Sequence, residues 1–221
     1  MVYVDAIICS LNEEKYIEDC LESIMNQSYI KKHPNDIKIT LADSNSEDAT
    51  RGIASKYNVT ILDAPRGKLS ARDAAIRQSD GKYIIALDAD TFYPMDFFER
   101  IMDYFNDPEV VAVSGHRLMD NWFARITEEV SSFMCNIGLS KRMIGGVSAF
   151  LREAYLAFGG FDLTIDQRDI LKMISEEEEG LGYYLSIHGR YIHDPSILAY
   201  SSSRRLDQLE YSLERVKMDT F

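Results

Sequence analysis

Asp88 and Asp90 are separated by one small residue, Ala89, and follow a run of apolar residues from Ile84 to Leu87. A run apolar at every position suits a parallel strand buried on both faces. The acids therefore sit where such a strand leaves the core, at the carboxyl end where open α/β sheets bind ligands. Residues two apart on an extended chain point the same way, so Asp88 and Asp90 are expected to face one site. Two like charges held that close repel, and a hard divalent cation with oxygen ligands makes such a pair favourable. Mg²⁺ takes one or two carboxylates together with substrate phosphates, so the chemistry expected is metal-bridged binding of a diphosphate. The competing reading is structural. Asp88 is then a strand-end turn residue and Asp90 caps the next helix, with Pro94 and Asp96 in its first turn.

Other candidates flank this pair. Asp43 ends a short apolar segment, Ile37 to Leu41, and opens the polar run Asp43 to Asp48. An acid just past the second strand of a β-α-β unit can accept hydrogen bonds from a nucleoside, or it can satisfy turn amides as Asx residues do. Lys68 and Arg72 are four apart on an expected helix, hence on one face, suited to phosphate or base or to a solvated surface beside Asp73.

The elements that must position these residues alternate. Val2 to Cys9, Ile37 to Leu41, Val59 to Leu62, Tyr83 to Leu87 and Val110 to Val113 read as strands, each separated from the next by a helical pattern. The first helix would be capped by Asn12, with Ile17, Cys20, Leu21 and Ile24 on one face. This is a doubly wound α/β arrangement. Trp122 to Ile137 carries apolar residues at helical spacing, expected to face the core. Ile144 to Phe150 approaches a further strand, and Gly159-Gly160 is expected to end a short helix. Leu206, Leu209, Leu213 and Val216 space out an amphipathic C-terminal helix that would cover the domain, a second subunit or a membrane surface.

Composition narrows the class. The chain has 221 residues, 46% of them hydrophobic, and a formal net charge of −12, which suits one folded α/β domain and disfavours nucleic acid as a partner. No apolar run approaches the ~20 residues of a membrane-spanning helix, and the N-terminus lacks signal-peptide character, so a cytoplasmic protein is expected. Cys9, Cys20 and Cys135 lie in apolar segments without metal-ligand spacing and are expected to be buried thiols.

In order and spacing, IICSLNEEKYIEDCLESIMNQ, ITLADSNSEDAT, GKLSARDAAIRQSDGKYIIALDADT, IGGVSAFLREAYLAFGGFD and EEEEGLGYYLSIHG resemble the family 2 glycosyltransferases. The resemblance runs from Val2 to about Pro195. It implies a GT-A fold, with a Rossmann-like nucleotide-binding half and mostly parallel sheet (1–115), a smaller acceptor-side region (116–200) and the C-terminal helix (201–221). It implies an inverting transferase of hexosyltransferase type that uses a nucleotide-diphosphate sugar and a divalent metal, Mn²⁺ or Mg²⁺. Ser10, Asn12, Asp43, Lys68 and Arg72 would then serve the nucleotide, and Asp90, with Asp88, the metal and donor diphosphate. Gly146 and Asp162 would line the donor sugar and acceptor side. Apart from the resemblance, Arg204 or Arg205 is expected to close over the diphosphate, since guanidinium forks match phosphate oxygens. Glu178 would be the catalytic base, with Glu177 and Glu179 beside it.

Three positions depart from the family pattern: Leu11 replaces a base-holding aromatic, Asp73 the common Asn, and Glu178 the usual Asp. The acceptor would be a glycan, a lipid-linked group or a protein, and peripheral membrane contact and a homodimer both fit. Two other functions compete. A sugar-phosphate nucleotidyltransferase would carry a Gly-rich basic loop after the first strand, where SLNEEKYIED is acidic. A catalytically silent nucleotide-sugar-binding protein would bind donor without turnover.

Overall fold

The computed structural model describes residues 3–143, 145–161 and 179–202. Its frame is an eight-stranded sheet in the order β3-β2-β1-β4-β7-β6-β8-β5. The strands are β1 (Val4–Ser10), β2 (Ile37–Asp43), β3 (Thr60–Asp63), β4 (Tyr83–Asp88), β5 (Thr91–Phe92), β6 (Val110–Met119), β7 (Ser148–Leu151) and β8 (Arg190–Ser201). β3, β2, β1 and β4 are parallel to one another, and β7 then runs antiparallel to both β4 and β6.

Alternation decides which face each residue serves. On β4, Ile85 and Leu87 enter one core with Ile8, Phe97 and Phe98, while Ile84 and Ala86 enter the other with Ile7, Leu69 and Ile76. Both faces are therefore dry, as the unbroken apolar run requires. The first face is covered by α1 (Ile17–Met25) and α5 (Phe97–Asp103), the second by α4 (Lys68–Gln78), α7 (Arg152–Phe158) and α8 (Glu179–His188). The remaining helices are α2 (Ser28–Lys32), α3 (Thr50–Ala54) and α6 (Trp122–Asn136).

Several helix starts differ from expectation. Asn12 does not cap α1, which begins at Ile17 without a side-chain cap. Asn12 has φ 55 and spends its side chain and its N–H on the loop after β2. Neither Asp90 nor Asp96 caps α5; that helix begins at Phe97, and Oε1 of the buried Gln27 accepts from the Phe98 N–H at 2.9 Å. Gly159, at φ 97, does end α7 in the left-handed conformation that favours glycine.

The far half of the sheet departs further. β6 continues six residues past Val113, through Gly115, His116 and Arg117, to Met119. Its parallel partner β8 mixes polar residues, Arg190, His193, Asp194 and Ser196, with the apolar run Ile197 to Tyr200, and its register against β6 shifts between Ser114 and His116, around Asp194 and Pro195. α6 forms where expected but turned over. Ala124, Glu128, Ser132 and Cys135 are buried, whereas Trp122 is 73% and Phe133 60% exposed. The strands beneath α6 present His116, Arg117 and His193, so its inward face had to be the polar one. Among the described residues, no helix is long and apolar enough to cross a membrane, and the three cysteines are free and buried.

Candidate functional site

Register gathers the strand ends at one edge. Ser10 pairs with Asp43, Asp43 with Asp63, and Cys9 with Asp88. On β4, Asp88 has the parity of Ile84 and Ala86, so its carboxylate faces α4. There it meets Lys68 Nζ at 2.8 Å and Arg72 Nη2 at 2.7 Å, with Arg117 Nη1 from β6 at 3.8 Å. Burial alone would raise the Asp88 pKa, but Lys68, Arg72 and Arg117 together hold it well below the usual carboxylate range. The i, i+4 spacing of Lys68 and Arg72 thus brings both onto one acid.

Tyr93 and Gly146 complete this corner. The Asp88 N–H donates to the Tyr93 hydroxyl at 2.9 Å, and that hydroxyl lies 2.9 Å from the Gly146 carbonyl, to which it donates. Gly146 has φ 90, and a Cβ there would lie 2.6 Å from Asp88 Oδ2. Only glycine lets the loop before β7 close on the acid. Sequence reasoning overlooked Arg117 and Tyr93. Arg117 becomes visible only if β6 is carried past Gly115, and Tyr93 is the aromatic that follows Asp90-Thr91-Phe92.

Asp43 is satisfied by a different chemistry. Oδ1 accepts from Ser10 Oγ at 2.9 Å and Ser46 Oγ at 2.5 Å, while Oδ2 accepts from the Ser46 N–H at 3.0 Å and Arg51 Nη1 at 3.2 Å. Burial opposes ionisation, yet the bonds from Ser46, Ser10 and Arg51 lower the pKa below its ordinary value. Those donors fill the roughly four acceptor positions of a carboxylate. A nucleoside N–H must therefore displace one of them. Asn12 lies alongside, its N–H on Ser46 Oγ and its Oδ1 accepting from the Glu47 N–H, both at 2.9 Å, so two loops are laced together over Asp43.

Asp73 has a definite task in the neighbouring turn. It accepts from Tyr155 Oη at 2.7 Å and Arg77 Nε at 2.8 Å, and Arg77 also reaches the Gly159 carbonyl at 2.6 Å. This fixes the Gly159-Gly160 turn against α4.

Asp90 does not share the surroundings of Asp88. β4 ends at Asp88, Ala89 and Asp90 form a turn, and the alternation that predicted a common direction stops there. Partly exposed, Asp90 lines a cleft of about 350 Å³ with Tyr16, Asp19, Thr91, Asp120 and Ser202. Among the described residues no group of three or more His, Cys, Asp or Glu side chains is arranged to hold a metal. The donor set fits instead a cation held by Asp90 and completed by substrate oxygens, since Asp88 already carries protein cations. Glu179 opens α8 and accepts from Ser140 Oγ at 2.7 Å. Glu177, Glu178, Asp162 and Arg204 lie outside the described residues.

Comparison with known proteins gives this arrangement a family. The profile of glycosyl transferase family 2 matches residues 5–155. An N-acetylglucosaminyltransferase of Rhizobium meliloti (strain 1021) is 29% identical over 146 residues, 60% of this chain and 33% of that protein. The putative teichuronic acid biosynthesis glycosyltransferase TuaG of Bacillus subtilis (strain 168) is 29% identical over 124 residues, 52% of this chain and 47% of that one. The chain thus spans from about a third to a half of the length of these relatives. In structure it resembles the mannosyltransferase PcManGT of Pyrobaculum calidifontis, solved with GDP-Man and Mn²⁺, with TM-score 0.66 and 22% identity over 90% of this chain and 56% of that one. It also resembles glucosyl-3-phosphoglycerate synthase of Mycobacterium tuberculosis, solved with Mn²⁺, UDP and phosphoglyceric acid, with TM-score 0.67 and 16% identity over 95% of this chain and 74% of that one. At such identities the likeness speaks for the fold, which is GT-A. With the family profile covering well over half of its length, the chain belongs to glycosyl transferase family 2.

Proposed function

We propose that this chain transfers a sugar from a nucleotide-diphosphate sugar to an acceptor hydroxyl with inversion at the anomeric carbon. The observation that carries the reading is the convergence of Lys68, Arg72 and Arg117 on Asp88 at the carboxyl end of β4, two residues before Asp90, which lines a cleft of its own. An arriving diphosphate can share those cations with Asp88, since guanidinium and ammonium donors suit phosphate oxygens. Relatives named N-acetylglucosaminyltransferase and neighbours solved with UDP-GlcNAc or GDP-Man support a nucleotide-sugar donor.

The nucleoside would be received at the laced loops of Ser10, Asn12 and Asp43, and the sugar beside Gly146. Asp90, with Asp88 behind it, would hold a divalent cation, Mn²⁺ or Mg²⁺, which when bound supplies charge neutralisation on the leaving diphosphate. Glu178 would take the proton of the acceptor hydroxyl as its oxygen attacks the anomeric carbon from the opposite face, with Asp162 on the acceptor side. Arg204 would close over the diphosphate. A glycan, a lipid-linked group and a protein all remain candidate acceptors.

Calorimetric titration with UDP- and GDP-sugars, in Mn²⁺ and in chelator, tests the reading. Binding should require the metal and should be largely lost in Asp90→Ala, while Glu178→Gln should bind donor normally and transfer about 10²–10⁴-fold more slowly. Equal donor affinity in chelator and in Mn²⁺ would overturn the metal assignment. A Glu178→Gln enzyme at the wild-type rate would move the base elsewhere.

A further inference from the structure

Of the three cations at the end of β4, Arg117 is held differently from the other two. Lys68 donates to one oxygen of Asp88 at 2.8 Å and Arg72 to the other at 2.7 Å, the usual lengths of a charge-assisted bond. Arg117 Nη1 lies 3.8 Å from Asp88 Oδ2, too far to bond it, and donates to the Gly145 carbonyl at 3.4 Å.

The other arm of this guanidinium is tied to α6. Nη2 donates in close contact to Oε1 of Glu128, a buried carboxylate on the inward face of that helix. Arg142 Nη1 lies 3.7 Å from Glu128 Oε2 and donates to Ser131 Oγ at 3.0 Å, which steadies the acid from its other side. Burial raises the Glu128 pKa, but Arg117 and Arg142 outweigh it, so the carboxylate is charged at neutral pH. The Asn121 cap and the burial of Ala124, Ser132 and Cys135 fix α6 on the sheet, and with it the position of Glu128.

A guanidinium suits this division, because its planar fork carries donors on more than one edge and can hold one partner while meeting another. Glu128 thus keeps Arg117 short of Asp88, with Nη1 turned toward the corner where the Gly145-Gly146 loop closes on the acid.

We propose that Arg117 hands its Nη1 edge from the Gly145 carbonyl and Asp88 to the donor diphosphate while Nη2 stays on Glu128, and that Glu128 is therefore a positioning residue for donor binding. Lys68 and Arg72 stay on Asp88, so the arriving anion breaks only the longest contacts in the corner. The inference rests on the reading that this corner receives the donor diphosphate. It adds that affinity for the diphosphate is set in part from α6, by a carboxylate of the same sign as the ligand.

Calorimetric titration with UDP and GDP in Mn²⁺ reads the exchange without an acceptor. By charge alone, Glu128→Gln removes a negative group from beside an anion site and should tighten binding. By positioning, it releases Arg117 onto Asp88, and nucleotide affinity should fall severalfold. Arg117→Gln should lose about 10–100-fold, the worth of a hydrogen bond to a charged group. In the Arg117→Gln background, Glu128→Gln should then have no further effect, because its route to the ligand is gone. Far-UV circular dichroism and urea unfolding establish that each variant is folded at the titration temperature. Should Glu128→Gln fail to fold, Arg117→Lys decides: it keeps the charge but replaces the fork with a single ammonium, so affinity should still fall severalfold. The proposal is overturned if Glu128→Gln binds as tightly as wild type or more tightly, if its effect persists in Arg117→Gln, or if Arg117→Lys binds like wild type. A wild-type protein that binds neither UDP nor GDP would overturn the donor reading, and this inference with it.

Discussion

The two halves of the sheet are stabilised by opposite means. From β2 to β4 the strand interiors are apolar on both faces except at Asp5 and Lys38 near the strand starts, where Thr40 donates to Asp5 at 2.8 Å, and further charge appears where the strands end, at Asp43 and Asp88. From β7 to β8 charge lies within the layer. Arg117 spans Asp88 and Glu128, Arg142 lies 3.7 Å from Glu128, and His193 meets Ser132 beneath α6. The first half needs water excluded. The second needs charges matched inside the layer as well as at its edge, which opens its interior to pH and to single charge deletions, with apolar surface left over on the outer side of α6.

The largest effect expected from this contrast is at Glu128. Burial raises its pKa, but Arg117 and Arg142 outweigh that and lower it below the ordinary 4.5. Breaking a buried ion pair from one side costs about 3–5 kcal/mol, because it strands the partners' charge. Glu128→Ala should lose that much at neutral pH, measured by urea unfolding. The carboxylate's contribution is complete above its unfolded pKa and fades as pH falls through the lower folded value, so the loss should shrink in acid. Ile85→Ala, in the apolar half, should cost a comparable ~2–5 kcal/mol that does not change with pH. A pH-independent loss at Glu128 would erase the distinction.

A smaller effect is expected at Asp43. Its partners are Ser46, Ser10 and Arg51, so Asp43→Ala orphans hydrogen-bonding groups rather than a buried ion cluster, for about 1.5–3 kcal/mol. Thermal unfolding with and without a nucleotide then sharpens its role. If Asp43 also receives a nucleoside, the variant should lose nucleotide affinity beyond its loss of stability. Unchanged nucleotide affinity with lowered stability would leave it as a loop-lacing residue alone.

What the sequence made legible follows the same division. β1 and β4 announce themselves by apolar runs, and the pairing of Lys68 with Arg72 follows from helical spacing. β8 carries an apolar run only at its end, Ile197 to Tyr200, because Arg190, His193, Asp194 and Pro195 break up its start, whose order comes from pairing with β6. The stripe on α6 identifies a helix but not its orientation, which was set by the polar residues beneath it. For Asp90, period-two reasoning ran two residues too far, since the strand had already ended at Asp88. Arg117 reaches Asp88 only through the order β4-β7-β6, which no local pattern encodes.

The smallest effect belongs to His193, and it separates the halves by pH alone. Burial, reinforced by the neighbouring His116 and opposed by Asp194, pulls its pKa from 6.5 to about 4. Its ring lies 2.8 Å from Ser132 Oγ on α6, and Glu129 lies 3.4 Å from the adjacent His116. Between the two pKa values the unfolded chain binds a proton that the folded chain does not, so stability rises with pH through this window and falls as pH drops from 6.5 toward 4. At 1.36 kcal/mol per pKa unit the whole window is worth at most ~3 kcal/mol, and partial exposure of the ring reduces this to ~1–2 kcal/mol by about pH 5. His193→Asn keeps a partner for Ser132 and removes the titration. Urea unfolding at about pH 7.5 and about pH 5 should therefore show wild type losing ~1–2 kcal/mol more than His193→Asn. Equal losses would mean that the far half takes its acid sensitivity from its carboxylates, and that His193 is only a filler between β8 and α6.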